Sequence, residues 1–137
     1  MEYKLLEKED VKLMANFKDD ENTSYNEKEI NEFLEENNSY AFICKNSNEI
    51  LGFAYGYVLL KPDGKKDFYL HAIDVMQEHQ ANGYGTKLMN FIKEYMKKLG
   101  CRKMFLITNK SNISACKCYE KAGGVNNADD EIVYVYK

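Results

Sequence analysis

Residues 74–86 read DVMQEHQANGYGT, and within them a predicted strand gives way to a predicted long helix across a turn that contains Gly83 and Gly85. The first backbone N–H groups of a helix have no acceptor within the helix, and the helix dipole adds partial positive charge there. Glycines at these two positions let an anion approach the amides without obstruction by a Cβ atom. The stretch therefore predicts an anion site, with a diphosphate as its natural ligand.

Two common phosphate-binding patterns do not occur in this turn. The dinucleotide fingerprint requires GxGxxG, and the P-loop requires GxxxxGK followed by Ser or Thr. The spacing present is Gln80-x-x-Gly83-x-Gly85. This spacing alone is also compatible with a simple helix-capping turn.

Apolar periodicity on either side of the turn predicts the order strand, two helices, three strands, helix, strand, helix, strand. The predicted strands cover residues 3–6, 40–44, 50–60, 67–75, 103–108 and 131–136, and the predicted helices lie at 9–17, 30–38, 83–99 and 112–122. Gly100 after the third helix and Gly123-Gly124 after the fourth are typical helix ends. This order predicts an α/β or α+β fold with helices packed on the faces of a sheet.

Length and composition indicate one domain that spans residues 1–137. An apolar fraction of 45% suffices for one core and excludes disordered and collagen-like classes. The sequence has no membrane-length apolar run and no signal peptide at its start, so we expect a cytoplasmic protein. No cysteine pair has metal-ligand spacing, so we expect reduced packing residues and no metal at Cys44, Cys101, Cys116 and Cys118.

Charge is distributed unevenly along the chain. The net charge is −3, but residues 1–40 contain 12 acidic and 5 basic residues. A weakly acidic chain without a Lys/Arg run is a poor nucleic-acid binder. The acidic front part could hold a cationic partner, or it could form ordinary solvated helix faces.

A second motif follows about 27 residues after the glycine turn, as Asn112-x-x-Ala115-x-x-x-Tyr119 on a predicted helix. The two motifs in this order resemble the GNAT superfamily of acetyl-CoA-dependent N-acetyltransferases, and the resemblance covers nearly the whole chain. It implies a mixed, mostly antiparallel central sheet with helices on both faces and strands splayed at the coenzyme site.

The resemblance also implies acetyl-CoA as co-substrate. The loop and the helix start would surround its diphosphate, the strand ending at Val75 would pair its backbone with the pantetheine arm, and the Val75 N–H would meet the developing oxyanion. Relatives commonly place Arg in this loop, whereas this chain has Gln80 and Asn82 there, and Lys87 is the nearest cation. The implied coenzyme-binding residues are Ile73, Val75, Gln80, Ala81, Asn82, Gly83, Tyr84, Gly85, Thr86, Asn112, Ala115 and Tyr119.

Two residues are candidates for catalysis, Tyr119 from the resemblance and Asp74 as a substitute base. Tyr119 would donate to the departing thiolate, which needs either a lowered phenol pKa or a concerted hydrogen bond, because a phenol is ordinarily a weaker acid than a thiol. Its apolar helix face is also compatible with a core tyrosine. Asp74 is the best candidate for the base that deprotonates the amine. His71, predicted on the opposite strand face, Glu78, His79 and water remain alternatives.

The strand at 67–75 and residues 56–61 partly resemble aminoglycoside 3-N-acetyltransferases, although Ala72 stands where those enzymes have an Asp. An aminoglycoside, a polyamine, another small amine or a protein N-terminus are all compatible acceptors. A polycation would suit the acidic residues Asp19, Asp20, Glu21, Glu27 and Glu32. A coenzyme-binding module without turnover is the alternative function, and a homodimer through the apolar residues 132–136 is an alternative to burial of that segment within the monomer.

Overall fold

The computed structural model describes residues 1–76, 79–80 and 82–137. Among these described residues, the elements are five strands, three α-helices and a long 3₁₀ helix near the start of the chain. In chain order they are β1 (Glu2–Leu5), the 3₁₀ helix (Lys8–Asn16), α1 (Glu27–Glu35), β2 (Ser39–Lys45), β3 (Ile50–Leu60), β4 (Lys66–Val75), α2 (Tyr84–Lys98), β5 (Lys103–Phe105) and α3 (Ile113–Lys121).

The sheet follows the chain order β1-β2-β3-β4-β5. Neighbouring strands are antiparallel except β4 and β5, which run parallel. The described pairing between β4 and β5 ends at Tyr69 and Phe105, whereas β4 continues to Val75. The two strands therefore form an open wedge, and the expected mixed, mostly antiparallel sheet with splayed strands is confirmed.

Helices cover both faces of the sheet because its strands alternate apolar side chains between the two faces. On β2, Phe42 and Cys44 belong to the core beneath α2, whereas Ala41 and Ile43 belong to the core beneath the 3₁₀ helix and α1. The result is a helix–sheet–helix arrangement with two cores, and the wedge opens at one edge of it.

A buried carboxylate fastens the 3₁₀ helix to the sheet. Asp10 is fully buried, and it forms ion pairs with Lys4 of β1 at 2.9 Å and with Lys45 of β2 at 2.8 Å. Its side chain also accepts a hydrogen bond from the backbone N–H of Glu7 at 3.2 Å. Burial alone would raise the pKa of Asp10, but the hydrogen bonds from Lys45, Lys4 and Glu7 lower it below its ordinary value.

The second helix, predicted at 30–38, begins and ends three residues earlier, at Glu27–Glu35. Three further predicted elements differ from the structure in type or extent. The first helix is a 3₁₀ helix, and the strand predicted at 103–108 is limited to Lys103–Phe105. The closing strand predicted at 131–136 is wrong: residues 131–137 carry no regular secondary structure and are exposed. Among the described residues, no helix has the length and apolar character needed to cross a membrane.

Candidate active site

A cavity of about 710 Å³ opens on the sheet face that carries α1. Its walls come from β3, β4, α1 and the loop between the 3₁₀ helix and α1. Among the described lining residues there is no Lys or Arg. Five carboxylates and six aromatic or imidazole rings line it: Asp19, Asp20, Glu21, Glu29 and Asp74, with Tyr25, Phe33, Phe53, Tyr55, Tyr57 and His71.

A bulge in β4 brings His71 into this cavity. Tyr55 of β3 lies opposite Ala72, but the next residue of β3, Gly56, lies opposite Leu70, so His71 is the extra residue. A bulge reverses the alternation of side chains beyond it. The prediction that His71 and Asp74 occupy opposite faces is therefore wrong, since both line the cavity. His71 stacks on the Tyr55 ring with the ring centroids 5.4 Å apart.

Among the described carboxylates of the cavity, Asp74 has a pKa that its surroundings shift strongly upward. Burial raises the pKa of Asp74 to about 6, and the negative charges of Asp19, Asp20 and Glu21 add to this effect. At neutral pH the group is still mostly ionised, yet it is a stronger base than an ordinary aspartate. A carboxylate with these properties suits proton abstraction near pH 7.

The acidic loop is built around Asp19. Its carboxylate accepts hydrogen bonds from the backbone of Glu21 at 3.1 Å and of Thr23 at 2.8 Å, and from the Tyr25 hydroxyl at 3.1 Å. Burial alone would raise the pKa of Asp19, but these bonds lower it. Asp19 therefore stays charged and holds the loop against the cavity, with the Tyr25 ring packed on Phe53.

Backbone groups at the end of β4 point into the wedge beside the cavity. Met76 N donates to Leu51 O at 2.8 Å. Bonded and non-bonded pairs alternate along an antiparallel ladder, so the N–H and C=O groups of Ile73 and Val75 point away from β3 into the wedge. Gln80 Nε2 donates to Val75 O at 2.9 Å on this outer side. An extended ligand could pair with these groups as an added strand.

The start of α2 lies at the wedge and is attached to α3. Gly83 precedes the helix with a φ of +78°, a left-handed conformation that favours glycine. A Cβ atom on Gly85 would lie 3.2 Å from Cys118 Sγ, and the Thr86 hydroxyl donates to the same sulfur at 3.6 Å. Close packing of α2 on α3 therefore explains why residue 85 is a glycine. This reason is additional to its proposed role, which is to let an anion approach the backbone. Lys87 N makes a hydrogen bond to Gly83 O, so the amides of the three preceding residues lie in the open first turn.

The other predicted residues differ in their positions relative to the cavity and the glycine turn. Asn112 lines the cavity together with Asp74, and it occupies the N-cap position of α3 without a described side-chain cap bond. Tyr84 and Ala115 are partly buried in α2 and α3, whereas Asn82 is exposed beside the turn. The predictions for Ala81 and Glu78 concern positions outside the described residues. His79 is described, with its ring 6.3 Å from that of Tyr84.

Tyr119 packs against the core beneath α2. Burial raises the pKa of Tyr119 to about 12, with further contributions from Cys118, Asp74 and Cys116. The sequence left two ways for Tyr119 to assist the departing thiolate, a lowered phenol pKa and a concerted hydrogen bond. The raised pKa excludes the first. The phenol stays protonated throughout the neutral range and can therefore donate a hydrogen bond.

Sequence reasoning missed several lining residues. Glu29 faces the cavity, whereas Glu27 and Glu32 of the same helix are not among its described lining. The aromatic wall could have been found, because Phe53, Tyr55 and Tyr57 alternate along one strand and hence share a face. The position of Tyr25 could not have been predicted from the sequence, because Tyr25 lies in a loop and its hydroxyl is held by a hydrogen bond to Asp19.

The profile of the Acetyltransferase (GNAT) family matches residues 9–124. The chain belongs to this family. The N-acetyltransferase YobR of Bacillus subtilis (strain 168), itself uncharacterized, is 37% identical over 54 residues, which are 39% of this chain and 22% of that protein. The matched part thus spans about a fifth of that relative's length.

Solved structures share the GNAT fold at low sequence identity. An aminoglycoside acetyltransferase from an uncultured soil metagenomic sample, in complex with sisomicin, has a TM-score of 0.78 and 21% identity over 99% of this chain and 94% of its own. A ribosomal-protein-alanine N-acetyltransferase from Brucella melitensis biovar Abortus 2308 has a TM-score of 0.77 and 16% identity over 98% of this chain and 100% of its own. These likenesses concern the fold alone.

Proposed function

We propose that this GNAT protein is an acetyl-CoA-dependent N-acetyltransferase whose acceptor is a cationic primary amine bound in the acidic cavity. The observation that carries the proposal is the position of Asp74. It lines the acidic cavity, and it belongs to β4, the strand whose end borders the wedge. A carboxylate-rich cavity attracts an ammonium group and holds it beside a base of raised pKa.

Each part of the site has a proposed task. The backbone of Ile73 and Val75 would hold the pantetheine arm, and the first-turn amides of α2 would hold the diphosphate. When bound, acetyl-CoA supplies the thioester whose carbonyl carbon the amine attacks. Asp74 would take the proton from the ammonium, the Val75 N–H would donate to the carbonyl oxygen, and Tyr119 would donate a hydrogen bond to the sulfur.

The acceptor class follows from the lining. Aromatic rings beside carboxylates favour an organic cation that carries more than one amine, such as an aminoglycoside or a polyamine. The structural neighbour with sisomicin is compatible with this proposal but too distant to assign the substrate. A single small amine or a protein N-terminus would leave the charges of the loop without a partner.

One experiment separates these classes. The protein is incubated with acetyl-CoA and a panel of mono-, di- and polyamines, aminoglycosides and an alanine-ended peptide, and the release of free thiol is measured. We expect release with polycations above all. Release with the peptide alone would contradict the cationic acceptor, and coenzyme binding without release on any amine would favour a non-catalytic acetyl-CoA-binding module with a regulatory or partner-binding role.

A matched pair of variants tests the acidic wall. Glu21→Gln and Glu32→Gln remove the same charge, but only the first changes the described cavity lining. We expect Glu21→Gln to raise KM for a polycation by about 5-fold, in line with the loss of roughly 1 kcal/mol from a partly exposed ion pair, and Glu32→Gln to leave it nearly unchanged. Equal effects would mean that only overall charge matters.

Three further predictions accompany the function. The single domain over residues 1–137 and the cytoplasmic location stay predictions from the sequence, since the family match covers residues 9–124. A homodimer through the apolar residues 132–136 is the third.

A further inference from the structure

A row of ring side chains leads from the cavity across the sheet to β5. It consists of His71, Tyr69 and Phe105, and we call it the aromatic ledge. The Tyr69 ring centroid lies 5.4 Å from that of His71 and 5.2 Å from that of Phe105, on which it stacks at an interplanar angle of 26°. Tyr69 lies opposite the cavity residue Tyr57 on β3 and opposite Phe105 on β5, so these side chains share the sheet face of the cavity. His71 lines the cavity, and the ledge continues beyond the described lining.

The aromatic ledge lies outside both described cores. On the cavity wall, Phe33 of α1 packs beside Tyr57 with the ring centroids 5.9 Å apart. Tyr69 and Phe105 belong to neither of the described cores. Phe105 is 38% exposed, and His71 is exposed as well. Exposed ring area that continues the wall of a polar cavity is typical of a ligand site.

Charge differs between the two ends of the ledge. At the cavity end, Asp19, Asp20 and Glu21 belong to the acidic loop. At the far end, the ammonium group of Lys103 lies 5.9 Å from the centre of the Phe105 ring. Because like charges repel, a cation of the acceptor is favoured beside the loop and disfavoured beyond Phe105. The part of a ligand that lies on the ledge should therefore be uncharged.

We propose that the aromatic ledge is a second subsite for the acceptor, where the apolar face of a ring stacks on Tyr69 while the reacting amine lies beside Asp74. This inference rests on the proposed function, and it narrows the acceptor to amines that carry a ring and have their charges grouped at one end. Aromatic rings and the C–H face of amino-sugar rings both provide such a surface. A linear polyamine has no ring face and would place a charge beside Lys103.

Three synthetic acceptors separate the ledge from the acidic cavity. They are propane-1,3-diamines that carry a benzyl, a cyclohexylmethyl or a heptyl group on one nitrogen, so they share carbon number and charge and differ in the tail. The KM of each is measured by the release of free thiol from acetyl-CoA. For at least one ring tail we expect a KM about 5-fold lower than for the heptyl tail, the equivalent of roughly 1 kcal/mol. The preferred ring distinguishes an aromatic acceptor from a saturated, sugar-like one.

Variants of the ledge assign this preference to its rings. Tyr69→Ala should raise KM for the preferred ring tail by about 5-fold, with a much smaller change for the heptyl tail, because a flexible chain does not stack. Tyr69→Phe keeps the ring and should restore the preference. Tyr69 also joins β4 to β5. If Tyr69→Ala does not fold for this reason, Phe105→Leu at the exposed end of the ledge is the second variant, and it should reduce the preference in the same direction.

Two results would overturn the ledge: equal KM values for all three tails in the wild type, or a ring preference that Tyr69→Ala and Phe105→Leu leave intact. An equal KM would also be found if the apolar residues 132–136 of the chain covered the ledge. Failure of the proposed function has another signature, since no probe would then release thiol. In that case, titration calorimetry with the same probes decides. Tighter binding of a ring tail that is lost in Tyr69→Ala would support the ledge, and equal binding of all three would overturn it.

Discussion

Asp74 illustrates how position sets the chemistry of a residue. Burial and three neighbouring carboxylates raise its pKa to about 6, so that it is ionised at pH 7 but still a useful base. The same negative field would attract the proposed cationic amine. Once an ammonium group is bound, it stabilises the carboxylate and lowers that pKa again.

The role of Asp74 predicts a particular pH dependence. In the wild type, kcat/KM should fall below about pH 6 as the free base is protonated, whereas the fall in kcat should lie at lower pH because the bound cation favours ionisation. Asp74→Asn should lose roughly 10²-fold or more at pH 7 and recover as pH approaches the amine pKa of about 10. A variant-to-wild-type ratio that is constant from pH 6 to pH 10 would exclude Asp74 as the base.

Tyr119 predicts a separation of turnover from binding. Its raised pKa keeps the hydroxyl protonated, so Tyr119→Phe removes a hydrogen-bond donor and little else. We expect kcat to fall about 10-fold or more, as for the loss of one transition-state hydrogen bond of roughly 1.5 kcal/mol, with coenzyme Kd nearly unchanged. Tyr95→Phe, another partly buried tyrosine of the same core, is the control. Unchanged turnover would remove Tyr119 from the mechanism.

At the level of secondary structure elements, local sequence signals are sufficient to predict the helices around the proposed coenzyme site. Apolar spacing and the terminal glycines located α2 and α3 to within one or two residues. The bulge at His71 was not predictable in this way, because an extra residue exists only relative to the register of β3. The apolar run at 131–136 signals a strand equally well whether it pairs within the chain, with another copy or not at all, since pairing partners are non-local.

The ion pairs of Asp10 connect the 3₁₀ helix with β1 and β2, and they predict an acid-sensitive element. Asp10→Asn removes the buried carboxylate from Lys45 and leaves Lys4 only its ion pairs with the exposed Glu7 and Glu9, so it should lower the free energy of unfolding by about 3 kcal/mol at pH 7. Because the folded pKa is lowered, this stabilisation is present above the ordinary aspartate pKa near 3.8 and is lost as pH falls further.

Urea unfolding of the wild type and Asp10→Asn between pH 3 and pH 8 measures this difference. Asp67→Asn is the comparison, since Asp67 pairs with Arg102 at 3.3 Å at a more exposed site and should cost less. An equal loss in both variants, or a loss for Asp10→Asn that is independent of pH, would show that burial of the ion pairs is not the cause.

For the whole molecule, the proposed catalytic carboxylate should reduce stability. A raised folded pKa means that the native state binds the proton of Asp74 more tightly than the unfolded chain, so its contribution to stability falls as pH rises from about 4 through about 6. Asp74→Asn removes this penalty. We expect the variant to be more stable than the wild type at pH 8, by on the order of 1 kcal/mol once solvent screening is allowed for, and equally stable below pH 4.

Urea unfolding across this range, with Asp129→Asn in the exposed C-terminal part as the control for one lost charge, measures the difference. If the stability gain of Asp74→Asn grows between pH 4 and pH 6 and the variant also loses turnover, Asp74 serves catalysis at a cost in stability and does not contribute to packing. If the variant were instead less stable at pH 8, the carboxylate would be a structural group, and the base would have to be sought at His71, which shares the cavity.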